Sequence, residues 1–204
     1  MPTRTLAARR LQPADESWAL ALLTAAYAPE PLLAPPGGPA ARRGWLRLLL
    51  GHVLRAGCAY AAPADQGVAL WLPAGAAAVG WAALLRAGPQ LWPLELSWEN
   101  CRNLMRWQRQ QTLLHQRAVP VPNHCLLALG VAPGAQGQGL GRQLLRTSLA
   151  AVGGRFLPSY AAVHSARALQ FVRQQGFEVA AYGPAGAAAG HPSCWGTVRA
   201  AGRV

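Results

Sequence analysis

Apolar positions along the chain fall into two kinds of run. The first kind is nearly continuous. His124 to Val131 reads His-Cys-Leu-Leu-Ala-Leu-Gly-Val, as expected of a strand buried on both faces. Gly67 to Leu72, stopped by Pro73-Ala74-Gly75, reads as another strand, with Cys58 to Ala62 as its neighbour. Leu157 to Val163, Phe177 to Tyr182 and Cys194 to Arg199 complete the set, and Thr3 to Leu11 is a short extended stretch. The second kind recurs at helical spacing. Trp18, Leu22, Leu23 and Ala26 follow the turn Pro13-Ala14-Asp15, whose Asp15 is a candidate cap, and predict a helix to about Tyr27. Trp45, Leu48, Leu49, His52 and Val53 predict a helix ending near Gly57. Helices are also expected over Ala76 to Arg86, from Pro93 to about Gln116 with Glu95 in the first turn, and from Ala166 to Gln175 with Gly176 as the C-terminal cap. Leu140, Leu144, Leu145 and Leu149 form the buried stripe of one more helix, leaving Arg142 and Arg146 outside it. Pro29 to Pro39 and Gly183 to Gly190 read as loops.

The unit strand–turn–helix–strand between His124 and Val163 requires a right-handed parallel crossover. An α/β fold with helices layered on one sheet follows, as a single domain over residues 1–204.

Composition changes this picture little. The formal net charge of +12 invites a nucleic-acid partner. The excess arises from only 7 acidic residues, and the Arg residues are scattered, with pairs at Arg9-Arg10 and Arg42-Arg43; both facts argue against it. The chain contains no Lys, which excludes a lysine Schiff base and a P-loop lysine. Cys58, Cys101, Cys125 and Cys194 are widely spaced and form no CxxC, so they read as small buried hydrophobes in a reducing compartment, and no metal site is expected. No apolar run is long enough to span a membrane, and Met1-Pro2-Thr3-Arg4 lacks a signal-like stretch, so a cytoplasmic location is expected.

The sharpest chemical signal is Gln136-Gly137-Gln138-Gly139-Leu140-Gly141, between the strand at 124–131 and the Leu140 helix. A helix start offers unpaired N–H groups and the positive end of the macrodipole, and glycine lets a phosphate approach the backbone. Two familiar phosphate motifs fail here. A dinucleotide turn needs G-x-G-x-x-G, and the third glycine is out of place. A P-loop needs Lys-Ser/Thr where Leu140-Gly141 stands. What remains is Q-x-x-G-x-G, which resembles the pyrophosphate-binding motif of the GCN5-related N-acetyltransferase (GNAT) family. Leu129-Gly130-Val131-Ala132-Pro133 resembles that family's L-x-V-x-P strand end, and Ala168-x-x-Phe171 with Gly176-Phe177 resembles the second half of its cofactor core. Pro13-Ala14-Asp15 is similar to its first turn, while Val68 to Pro73 and Trp195 are similar to one bacterial subgroup. The resemblance is specific over residues 124–178 and weaker over most of the chain.

The resemblance implies a mixed central sheet flanked by helices, with two parallel strands splayed around an acyl-CoA site. It implies an N-acyltransferase that moves an acetyl group from acetyl-CoA to a small-molecule or peptide amine by direct attack in a ternary complex, and it leaves room for a homodimer. The backbone of Leu129, Gly130 and Val131 would hold the pantetheine arm, with Leu129 as the oxyanion contact. Gln136, Gly137, Gln138, Gly139, Leu140, Gly141 and Arg142 would bind the pyrophosphate, and Ser165 and Phe171 would complete the cofactor site. His124 is the candidate base, against a reading as a strand-edge histidine without a role. Cys125 adjoins it but points to the opposite face, which argues against a Cys–His nucleophilic pair. The family often places Tyr where this chain has Val172, four residues before Gly176-Phe177, so Tyr160, Tyr182 or water would have to protonate the thiolate; Ser165 replaces a common Asn at the helix start. The alternative is a GNAT-fold protein that binds acyl-CoA without efficient transfer. Glu95 and Glu99 could line the acceptor cleft or merely support their helix. Trp92, Trp98 and Trp107 could build an aromatic pocket or simply pack, and His164 could touch the cofactor or lie at a helix entrance.

Overall fold

The computed structural model describes residues 8–29, 38–56, 58–76, 98–184 and 193–202. In chain order these form β1 (Arg9–Arg10), α1 (Glu16–Ala26), α2 (Gly38–Ala56), β2 (Ala59–Ala61), β3 (Gly67–Leu72), α3 (Trp98–Ala118), β4 (His124–Val131), α4 (Leu140–Ala151), β5 (Ser159–Val163), α5 (Ala166–Gln174), β6 (Glu178–Pro184) and β7 (Ser193–Arg199). One sheet runs β1-β2-β3-β4-β5-β7-β6. Every neighbouring pair is antiparallel except β4–β5. The expected parallel crossover through α4 is therefore present, within a mixed sheet flanked by helices. Among the described residues no helix is long and apolar enough to cross a membrane.

β3 shows why a continuous apolar run became a central strand. Its side chains alternate between two cores. Val68 and Leu70 pack with Leu20 and Leu23 of α1 and Leu46 and Leu50 of α2. Ala69 and Trp71 pack on the opposite face with Leu144, Leu145 and Leu149 of α4 and with Val172 and Phe177. Each Leu buried in this way stabilises the fold by roughly 1.5–3 kcal/mol. The Trp71 indole is fully buried, and its N–H donates to Ser148 Oγ at 2.9 Å, so its one polar atom is satisfied.

Boundaries differ from the sequence reading at several places. β1 is only Arg9–Arg10 among the described residues of the expected Thr3–Leu11 stretch. α2 begins at Gly38, inside the segment read as a loop, because Pro39 sits in the first turn, where a missing N–H costs nothing. Asp15 does not cap α1 with its side chain; its carboxylate accepts from the backbone N–H of Gln12, from Trp18 Nε1 and from Arg9. Those bonds, Arg9 foremost, hold its pKa well below the usual carboxylate range. The helix read over Ala76 to Arg86, the start of the Pro93 helix with Trp92 and Glu95, most of the Gly183–Gly190 loop, and the side chains of Trp98 and Glu99 lie outside the described residues.

Candidate functional site

The parallel ladder between β4 and β5 pairs His124 with Ser159, Cys125 with Tyr160 and Leu126 with Ala161, and then ends. From there β4 stays on β3 as far as Val131, while β5 stays on β7 through Val163. The strands diverge, and the wedge between them opens toward the glycine turn. Gly137 and Gly139 adopt φ of 78° and 79°, in the left-handed region that glycine enters without a Cβ penalty. Gly139 is the residue at which α4 starts. The first amides of α4 lack intrahelical acceptors, so the turn presents N–H groups to the wedge. The Gln136 side chain braces the turn by donating to Val131 O at 3.1 Å.

A cavity of about 500 Å³ fills this wedge. Of the residues expected to bind a cofactor, Leu129, Gly130, Val131, Gln136, Gly137, Gly139, Leu140, Gly141, Arg142, Ser165 and Phe171 all line it; Gln138 is exposed outside it and donates instead to Gly134 O. Ser165 caps α5, its hydroxyl accepting from Ala168 N–H at 3.2 Å. Arg167 also lines the cavity and donates to Gln136 Oε1 at 3.5 Å, so two arginines, Arg142 and Arg167, border it. Val172 lines the same cavity and packs in the adjoining core.

A second cavity, of about 340 Å³, lies on the other side of the splay, under α2, α3 and the end of β3. Its walls combine aromatic rings with the polar side chains of Gln108, Gln111, Thr112 and Asn123. Trp45 and Trp107 meet edge to face with centroids 5.4 Å apart, Trp107 lies 6.2 Å from the His164 ring, and His115 stacks on Tyr160 at 4.2 Å. Both cavities are lined by Tyr27, Leu129, Ala162 and His164, so they meet at these four residues.

A phenol, a backbone amide and a buried imidazole gather at the meeting point. α1 approaches β4 closely over Gly130, where a Cβ would stand 3.0 Å from Leu23 Cδ2 and 3.1 Å from Ala26 Cβ. That approach sets Tyr27 against Leu129. The Tyr27 hydroxyl accepts from Leu129 N–H at 2.9 Å and donates to Leu129 O at 3.1 Å. The backbone group read as an oxyanion contact is thus engaged by a phenol. His164 is buried, its Nδ1 has no hydrogen-bond partner, and burial lowers its pKa to about 4. Its Nε2 lies 3.8 Å from Cys194 Sγ. Burial pushes the Cys125 and Cys194 thiols up to about 12, so neither is a thiolate nucleophile.

His124 does not join this constellation. It begins β4, five residues or roughly 17 Å from Leu129. It lines neither cavity, although its neighbours Asn123 and Cys125 line the second. Its Nδ1 accepts from Ala74 N–H at 3.3 Å, and it bonds the backbone of Gly153, while burial lowers its pKa. Its ring is occupied in holding loops together. Of the candidate acids, Tyr160 lines the second cavity and Tyr182 is exposed outside both. The sequence reading did not single out Tyr27 or Arg167. The spacing of Tyr27 from the α1 stripe gave its helix end but not the partner strand, and Arg167 was one basic residue among many.

Residues 107–179 match the family model described as an acetyltransferase (GNAT) domain. No curated protein matches the chain. Among solved structures, the chain is similar to a Drosophila melanogaster polyamine N-acetyltransferase (TM-score 0.66, 19% identity, 95% of this chain and 98% of that one). It is similar to a histone acetyltransferase HPA2 and related acetyltransferase from Corynebacterium glutamicum (TM-score 0.60, 19% identity, 97% of each chain). A third, the PaiA N-acetyltransferase from Thermoplasma acidophilum in complex with coenzyme A, aligns with TM-score 0.53 at 13% identity over 95% of this chain and 97% of that one. At these identities the likeness is one of fold.

Proposed function

We propose that this chain, which carries a GNAT acetyltransferase domain on a GNAT fold, transfers an acetyl group from acetyl-CoA to an amine held in the second cavity. The observation that carries the reading is the meeting of two cavities at Tyr27, Leu129, Ala162 and His164, where β4 and β5 part. The wedge suits an acyl-CoA. Its glycine turn and α4 amides fit a pyrophosphate, Arg142 and Arg167 add positive charge, and the open edge of β4 from Leu129 to Val131 fits a pantetheine arm. The described strands share one sheet, which supports one domain acting as a unit.

In this reading the thioester carbonyl displaces the Tyr27 hydroxyl from Leu129 N–H, and that N–H stabilises the developing oxyanion. The amine nitrogen attacks the carbonyl carbon, forming the C–N bond. The tetrahedral intermediate collapses with cleavage of the C–S bond, and the CoA thiolate leaves. The nitrogen loses one proton in the process. His164 is the acceptor we assign, because it lines both cavities, is neutral, and has an unpartnered Nδ1. The released proton then neutralises the thiolate, so no residue need replace the Tyr missing at Val172. Nucleophilic catalysis by cysteine is disfavoured by the raised thiol pKa values.

The test has two stages. CoA and acetyl-CoA should raise the melting temperature, since a ligand at 100 times its Kd adds about 2.7 kcal/mol of apparent stability. CoA-thiol release should then follow with an amine panel, and His164→Asn should lower kcat by about 10²-fold while leaving acetyl-CoA binding within a few-fold. Stabilisation without turnover by any amine would favour acyl-CoA binding alone, the reading to which Val172 in the cofactor wedge lends support. No stabilisation by CoA would defeat both.

A further inference from the structure

Three arginines gather around a third hollow, apart from the border of the two cavities. A cleft of about 280 Å³ lies between the first half of α4, the end of α5 and the end of β7, with Arg142, Arg146 and Arg199 in its lining. Arg142 and Arg146 are one turn apart on α4, so they share a face, and both are exposed. Neither position suits a cation on local grounds. Like charges at i and i+4 repel, and the first turns of a helix carry the positive end of its dipole.

Arg199 is the unusual member. It ends β7 on the strand face that carries Trp195 and Thr197, and it is only 8% exposed. Arginine is almost never buried this far without an anionic partner. Here Nε donates to Gln175 O at 3.1 Å, and Nη1 has no partner. Among the described residues both ion pairs belong to Arg9. The carboxylate on the neighbouring strand, Glu178, registers with Val198 and so points to the other face of the sheet from Arg199. Burial first, and then the charge of Arg146, lower the Arg199 pKa, as expected of one cation held beside another without compensation.

We propose that Arg142, Arg146 and Arg199 hold a phosphate dianion in this cleft, at a position separate from the glycine turn. Three guanidinium charges call for more than the single charge of a carboxylate; a phosphate group carries about −1.5 to −2 near pH 7 and offers three acceptor oxygens. The exposed Arg142 and Arg146 supply direct, charge-assisted hydrogen bonds. Arg199 Nη1 is closed off from solvent, so Arg199 contributes mainly charge, delocalised over its guanidinium. Leu145 and Leu149 in the lining lower the local dielectric and strengthen the attraction. Arg142, Gln174 and Gln175 also line the wedge, so the two spaces adjoin. The phosphate has two chemical sources: the 3′-phosphate of an acyl-CoA whose pyrophosphate sits on the glycine turn, or a free phosphate bound beside it. Only the first source rests on the acyl-transfer reading.

The test compares the full chain with Arg146→Gln, a change at an exposed position that removes one charge and keeps the helix face polar. Melting temperature is followed against inorganic phosphate at an ionic strength held constant with chloride, and CoA and 3′-dephospho-CoA are compared by calorimetry. If the cofactor fills the cleft, CoA binds at least tenfold tighter than 3′-dephospho-CoA, and Arg146→Gln brings that ratio at least threefold closer to one. If free phosphate fills it, the two forms of CoA bind alike, and phosphate raises the melting temperature of the unmutated chain much more than that of the variant. Both results support the site and name its source. Without ligand, Arg146→Gln should melt no lower than the unmutated chain, because it relieves the repulsion on Arg199; a clear fall would contradict an uncompensated cluster. A variant that leaves both the CoA ratio and the phosphate response unchanged overturns the proposal. Phosphate stabilisation that is lost in Arg146→Gln, with no binding of either form of CoA, would sink the acyl-transfer reading and leave the site standing.

Discussion

His164 is neutral throughout the pH range in which a free amine can attack a thioester, because burial disfavours its charged form. The same burial links it to stability. Its folded pKa of about 4 lies below the ordinary value of 6.5, so the unfolded chain binds the proton more readily. Stability is full above about pH 6.5 and is lost as pH falls toward 4, by a total on the order of 3 kcal/mol. His124, lowered mainly by burial, adds a loss of the same sign. Melting curves across that window should therefore fall less steeply for His164→Asn than for the unmutated chain; parallel profiles would contradict the buried neutral imidazole. Tyr27 gives a second residue-scale outcome. Its hydroxyl occupies the N–H that the thioester carbonyl is proposed to use, so Tyr27→Phe should tighten acetyl-CoA binding by a few-fold in a titration and change CoA, which lacks that carbonyl, much less; weaker acetyl-CoA binding would show that the phenol assists instead. Neither proposed role was legible beforehand. A histidine after a strand and a tyrosine after a helix carry no periodic signal that reveals which atoms they will face. His124 attracted attention because it starts the strand of interest, yet the strand's length carries it away from the site.

The elements that build the wedge were much more legible. β3 and β4 occupy the ranges read from their apolar runs, since strands buried on both faces leave little room for another reading. α4 buries Leu144, Leu145 and Leu149 as its stripe foretold, while Leu140 stays only half-buried because it faces the wedge. The turn before it was legible because its chemistry is backbone chemistry, and glycine spacing records backbone conformation directly. Gly139 sits at φ 79°, with no atom within 4 Å of where a Cβ would stand. Gly139→Ala therefore meets no clash, and its cost is conformational, about 1–2 kcal/mol. It should lower the melting temperature modestly and weaken CoA at least tenfold, while pantetheine, which lacks the pyrophosphate, changes little. An equal loss for both ligands would mean that the turn does not bind phosphate. Less legible were the elements whose limits depend on tertiary contact, such as α2, whose Gly38-Pro39 opening read as a loop.

At the scale of the whole molecule, the deciding feature is that the two cavities share a border, and no sequence pattern announces a border. It arises because β4 follows β3 and β5 follows β7 after the last pair at Leu126 and Ala161. One strand pair thereby borders a cavity of about 500 Å³, the proposed donor space, and one of about 340 Å³, the proposed acceptor space, on opposite sides of the same gap. Occupancy of one does not require vacating the other. Direct transfer then demands that both substrates be bound together, and initial-velocity plots should intersect rather than run parallel. The geometry makes a stronger demand on a single molecule that fills both spaces. CoA joined through an acetyl bridge from its sulfur to the nitrogen of an amine accepted in the panel assay would place its linker at Tyr27, Leu129, Ala162 and His164. Its second half would bind without a second loss of translational freedom, as a tethered group at high effective concentration. Such a conjugate should bind at least 10²-fold tighter than CoA, and His164→Asn should erode that advantage by only a few-fold, because the gain comes from the shared border rather than from proton transfer. Binding no tighter than CoA would mean that the two cavities do not open onto one another in solution.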